Sequence, residues 1–107
     1  MKCFGFAGNA VLGLCLSSSL LAAPTPERKT ELLYLLAQDC GACHGMRLKG
    51  GLGPPLLPDA LHQWNAEQLA QTILHGRPGT PMPPWSPFMT EQEALWLAQQ
   101  LKEGISQ

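Results

Sequence analysis

No stretch of this 107-residue sequence requires a β-strand, no strand–helix–strand pattern is present, and no internal repeat is visible. Charge is scarce as well, at 14% of residues, with seven Lys and Arg set against eight Asp and Glu. That balance removes the basic excess that a nucleic-acid-binding chain shows. The one long apolar run, Ala10 to Leu21, is too short for a spanning helix. Cysteine is limited to four positions, two of which, Cys3 and Cys15, lie in that amino-terminal region.

What is present at the amino terminus has the order of a secretory signal. Lys2 supplies a positive start, the apolar run follows without charge, and Ala22-Ala23 offers small residues for cleavage. Residues 1–23 are therefore expected to be removed on export, leaving one domain over residues 24–107 with no membrane span; an uncleaved anchor is the alternative. Leu20 or Leu21 and Pro24 fit a cleavage site poorly, so its position is not defined. Leu14 ahead of Cys15 argues against a lipoprotein cysteine. The remaining chain, about 84 residues with net charge near −2, can bury only a modest core and needs a staple.

The stretch Cys40-Gly41-Ala42-Cys43-His44 supplies one. C-x-x-C-H reads as an attachment site for one covalent haem c. Two thiols on one turn of helix can each add across a vinyl group, and His44 then falls beneath the iron as proximal ligand. Gly41 and Ala42 are small enough to let the backbone approach the macrocycle. Three other readings exist. A thioredoxin-like pair wants a βαβ context, a zinc half-site wants more ligands than the mature chain offers, and a structural disulfide makes no use of His44.

The elements around the motif are helical, so an all-α fold is expected. Thr25-Pro26-Glu27 is a helix start, and Leu32, Leu33, Leu36 and Ala37 form the stripe of a helix running toward Asp39. Residues 45–58, rich in Gly and Pro, form an ordered loop. A second helix opens at Asn65 with Gln68 completing a capping box, Trp64 positioned to staple onto Leu69, Leu69 and Ile73 on its buried face, and Gly76 as its stop. After a proline-dense loop, Thr90 and Glu93 cap a last helix whose inner stripe is Ala94, Leu97, Ala98 and Leu101, ended by Gly104.

A haem held by one histidine leaves a sixth position. Met46 is too near His44 to reach the opposite face; His62 and His75 read as a solvated loop residue and a helix-end residue; Met89 is a further candidate. Met82 lies 38 positions after His44 in Gly79-Thr80-Pro81-Met82-Pro83-Pro84-Trp85, between two helices. The prolines fix φ and remove amide donors, and residues before proline are pushed toward extended backbone, so this strap cannot become helix. Met82 is the expected ligand, with a gap-filling surface methionine as the alternative. A thioether raises the reduction potential. Gly53-Pro54 is placed to offer the Pro54 carbonyl to the second N–H of His44, or is a turn dipeptide and no more.

Taken together, the amino-terminal helix, C-x-x-C-H, Gly53-Pro54-Pro55-Leu56, a middle helix, the Met82 loop and a last helix resemble the class I c-type cytochrome family. More narrowly, Asp39 to Gly45, Leu48 to Pro54 and His75 to Pro83 are similar to the small NirC-type cytochromes encoded beside the cytochrome-type nitrite reductase of denitrifying bacteria. The resemblance spans Thr25 to about Glu103. It implies a fold of three main helices wrapped around one covalent haem, and a periplasmic single-electron carrier rather than an enzyme. Its partners would be nitrite reductase or the factors that mature the d-type haem. Arg77 suits a haem propionate, with a solvated loop arginine as the alternative. Trp64, Trp85 and Trp96 are expected in haem-pocket or core packing. The family often carries a glycine and an aromatic where this chain has Leu32 and Leu36, and an aromatic at Gln100, so its terminal helices are expected to cross less closely. The rival class is a haem enzyme or gas sensor with an open sixth position, which lacks a clear distal histidine here.

Overall fold

The structure is a computed structural model that describes residues 23–106; the apolar run and Ala22 lie outside the described residues. Helix α1, Pro26–Leu35, starts where Thr25 Oγ1 accepts the Arg28 amide at 3.2 Å, with Pro26 in its first turn. It continues without a break through a π-helical turn, Leu36–Cys40, into the short α2, Gly41–His44. A π turn takes an extra residue per turn and shifts the register of whatever follows. Within it Leu36 is buried, Asp39 is exposed and Cys40 is half-buried.

A loop then leads to α3, Pro58–Leu61, a single turn. Next comes α4, Ala66–His75, whose capping box is complete: Gln68 N–H donates to Asn65 Oδ1 at 2.7 Å, and Asn65 N–H to Gln68 Oε1 at 3.0 Å. The last helix is α5, Glu91–Glu103, with Thr90 and Glu93 making the same reciprocal pair. All regular elements among the described residues are helices, so the fold is all-α.

The core gathers on α5, which packs chiefly against α4 and also receives α3 and α1. Ala94, Leu97, Ala98 and Leu101 are all buried, as the periodicity of that helix requires. The stripe on the first helix is narrower than its spacing predicts, because Leu32 and Leu36 are buried while Leu33 and Ala37 are exposed. On α4 the deepest residues are Ala70 and Leu74, with Leu69 and Ile73 at the margin of the core. Leu48 and Met89 complete the cluster from the loops. Trp85 and Trp96 pack against it, whereas Trp64 is 41% exposed and stands apart. The Trp64 and Leu61 carbonyls both accept from Lys102 Nζ.

The terminal helices meet through side chains rather than through a glycine notch. Leu32, at the position where the family often has glycine, is fully buried. Beside it Lys29 Nζ lies 5.6 Å from the Trp96 ring centroid, and Arg28 Nε lies 2.9 Å from Glu93 Oε1. That arginine holds the Glu93 carboxyl below its ordinary range by hydrogen bonding, against a smaller opposing effect of burial. The stability linked to this shift is present above the ordinary carboxylate range and is lost as pH falls through the lowered native value. Glu93→Gln keeps a capping side chain but not the charge. It is expected to cost about 1 kcal/mol or less at neutral pH and to flatten that part of the acid-unfolding curve followed by circular dichroism.

Candidate haem site

Cys40 and Cys43 are unpaired thiols on the same turn, both half-buried. Burial, with the charge of Asp39 acting in the same direction, pushes the Cys40 thiol up to about 11. A thioredoxin-like pair needs the opposite, a thiol easily ionised to thiolate. Among the described residues no group of three His, Cys, Asp or Glu side chains is placed to hold a metal ion.

His44, the last residue of α2, has Nδ1 2.7 Å from the Pro54 carbonyl oxygen. A carbonyl only accepts, so Nδ1 carries the proton and Nε2 is left as the lone-pair donor. The loop that carries Pro54 is folded back onto the motif by backbone bonds: Gly50 N–H donates to His44 O at 2.8 Å and Gly53 N–H to Cys43 O at 2.7 Å. Gly53 lies directly against the imidazole. A Cβ built there would stand 2.7 Å from both Cε1 and Nδ1 of His44. The sequence marks Gly53 only as the partner of a turn dipeptide, and this approach to the ring had no signal of its own.

The Met82 strap is tied to the end of α4. Trp85 N–H donates to Ile73 O at 3.0 Å and Ser86 N–H to Leu74 O at 3.1 Å. Met82 itself is half-buried, its amide donates to Thr80 Oγ1 at 3.3 Å, and its carbonyl accepts from the Arg77 amide at 3.2 Å. Gly76 is more than a helix stop. Its φ is +67°, and a Cβ on it would lie 2.6 Å from the Met82 carbonyl oxygen. Only glycine lets the strap cross the helix end at that spacing.

The other candidates are distributed elsewhere. Met89 is buried in the core, and Met46 is 68% exposed just after the motif. His62 Nδ1 bonds the Asp59 carbonyl oxygen at 2.7 Å, and His75 Nε2 bonds Gln71 Oε1 at 3.0 Å, so each is engaged with its own segment. Arg77 is exposed on the strap's leading side, with no ion pair among the described residues.

The chain matches the family described as "Cytochrome C oxidase, cbb3-type, subunit III" over residues 27–100. It is 53% identical over 81 residues to cytochrome c55X of Pseudomonas aeruginosa, covering 76% of this chain and 68% of that protein. Among solved structures it is similar to the c-type cytochrome NirC, with TM-score 0.73, 51% identity, and coverage of 75% of this chain and 94% of that one. A further likeness is to the dihydro-heme d1 dehydrogenase NirN, at TM-score 0.63 and 36% identity, covering 70% of this chain but 16% of NirN.

The chain belongs to the class I cytochromes c, in their NirC-type group.

Membership in the cytochrome family implies haem c and electron transfer, and the side chains described above fit that group. Two free thiols share one turn with an imidazole whose Nε2 is unengaged, and the loop beside the ring has room for a glycine and no larger residue. In this cytochrome Gly53 is not at positive φ, so the cost of adding a methyl comes from the ring contact alone. Gly53→Ala is expected to lower stability by about 1–3 kcal/mol, read as a lower denaturant midpoint at unchanged slope.

Proposed function

We propose that the protein is a periplasmic single-electron carrier serving the nitrite reductase system, made as a precursor whose residues 1–23 are a signal peptide and whose residues 24–107 form the cytochrome domain. Cys40 and Cys43 hold one haem covalently, His44 and Met82 are its axial ligands, Pro54 orients His44, and Arg77 meets a propionate. The observation that carries the reading is the 2.7 Å contact between His44 Nδ1 and the Pro54 carbonyl, which fixes the tautomer that donates through Nε2. When bound, haem supplies a one-electron iron couple.

What the chain's own residues do is hold still. The imidazole is oriented by the Pro54 carbonyl, with Gly53 close against the ring. The methionine sits on a segment with three prolines, bonded to α4 behind it, so it keeps its place in both oxidation states. Its neutral, soft sulfur favours the ferrous state and raises the potential. His75 Nε2 is engaged by Gln71, Met89 is buried in the core, and His62 and Met46 lack the proline-fixed, α4-bonded segment that supports Met82 as the ligand.

A second reading is an electron-transfer accessory in maturation of d-type haem. It draws support from the likeness to NirN, whose name describes a dihydro-heme d1 dehydrogenase. The redox chemistry would be the same and the partner different. Deleting the gene separates the two: nitrite reductase that carries its d-type haem but lacks electrons supports the carrier, and nitrite reductase lacking that haem supports the maturation factor. Haem that stays with the polypeptide through denaturation, seen by mass spectrometry, is the expected result for covalent attachment, and a haem-free polypeptide contradicts it. Met82→His is expected to keep the haem and lower the potential in a redox titration. Met82→Ala is expected to bind carbon monoxide, which the wild-type protein takes up poorly; ready uptake by wild type would favour the open-site sensor or enzyme.

A further inference from the structure

Three segments of the chain hold the Met82 strap and the turn that follows it. Around Met82 the strap crosses Gly76 and Arg77, and just after its prolines Trp85 and Ser86 bond it to the last turn of α4. At its trailing end, between Ser86 and the start of α5, the contact comes from the first helix. Arg28 on α1 donates from Nη2 to the Phe88 carbonyl at 2.7 Å. Phe88 is itself tied to the strap, since its amide donates to Trp85 O at 2.9 Å and its ring stands 5.6 Å from the Trp85 ring. The Phe88 side chain is 60% exposed, so the backbone contact rather than ring burial fixes this corner.

The arginine is held rigid while it does so. Its Nε and Nη2 take the two oxygens of Glu93 at 2.9 and 3.0 Å, and its Nη1 takes Glu31 Oε2 at 2.9 Å. Glu93 is fixed in turn, because its Oε2 also accepts the Thr90 amide at 3.0 Å. A planar fork is needed to meet a carboxylate edge and a carbonyl together; an ammonium cannot reproduce it. Arg28 also stands on the helix that runs directly into Cys40 and His44.

We propose that Arg28 is a positioning residue for the sixth ligand: it joins the helix leading to the proximal histidine to the trailing end of the strap that carries Met82, and so limits how readily Met82 leaves the iron. The proposal rests on the reading of Met82 as a ligand. Arg28 touches neither haem nor reacting atoms, and it acts through the Phe88 carbonyl. When the clamp is lost, the prolines still keep the strap extended, but its far end is tied only to α4 and opens more often.

The test uses haem-loaded, oxidised protein and follows the sulfur-to-iron charge-transfer band as imidazole is added. Arg28→Ala is expected to lower the imidazole concentration that displaces the band by about tenfold, the scale of one hydrogen bond to a charged group. Arg28→Lys, which keeps the charge without the fork, is expected to fall between wild type and Arg28→Ala. Lys102→Ala serves as the comparison for general destabilisation, since Lys102 bonds the Leu61 and Trp64 carbonyls away from the strap. It is expected to lower the melting temperature without changing imidazole displacement. If Arg28→Ala leaves displacement unchanged, or if Lys102→Ala changes it as much at a similar loss of melting temperature, the proposal is overturned while Met82 ligation stands. A wild-type protein with no sulfur band overturns both.

Discussion

The hydrogen bond between His44 Nδ1 and the Pro54 carbonyl, 2.7 Å long, constrains the chain on both sides of it. On the helix side, His44 must end α2 with its ring pointing at the returning loop. On the loop side, residues 45–54 must turn back within a few residues, which is why Gly50 and Gly53 bond the carbonyls of His44 and Cys43. Buried Leu48 and the Leu56 amide, which donates to Leu48 O at 2.9 Å, then fasten the loop to the core. A single tautomer follows from this arrangement, and with it one free ring nitrogen. Any group bound by that nitrogen inherits an orientation that the protein has already fixed.

The small core explains why polar contacts matter so much between the terminal helices. A chain of this size buries limited apolar area, and Leu32 fills a position where a glycine would let helices approach closely. The arginine fork on Glu93 and the lysine above Trp96 bridge α1 and α5 instead. Both involve the first two turns of α1, upstream of the π-helical turn. The end of the helix that bears Cys40 is held locally, by buried Leu36 and by the loop bonds to the Cys43 and His44 carbonyls. In the proposed carrier, this is also how a rigid frame limits rearrangement when an electron arrives or leaves.

Much of this was legible in the sequence because the signals are local. Thr25, Asn65 and Thr90 each cap a helix as their neighbours demand, Gly76 and Gly104 stand where helices stop, and Ala94, Leu97, Ala98 and Leu101 are the buried stripe of α5. The C-x-x-C-H turn and the proline strap are likewise contiguous. What was not legible depends on residues far apart in the chain. Arg28 and Glu93 are separated by 65 positions, and nothing about either residue names the other. The roles of Gly53 and Gly76 appear only once the chain that presses on them is in place. The π turn has no residue signature in Leu36-Ala37-Gln38-Asp39-Cys40. Trp64, expected in haem-pocket or core packing, is instead 41% exposed.

The account turns on which atoms bind the iron. X-ray absorption at the iron edge of the purified, haem-loaded protein reads this directly, because sulfur scatters more strongly and sits farther out than nitrogen. The expected result is a sulfur neighbour beside the nitrogen shell in both oxidation states, absent in Met82→His. A wild-type spectrum fitted by nitrogen and oxygen neighbours alone would contradict ligation by Met82.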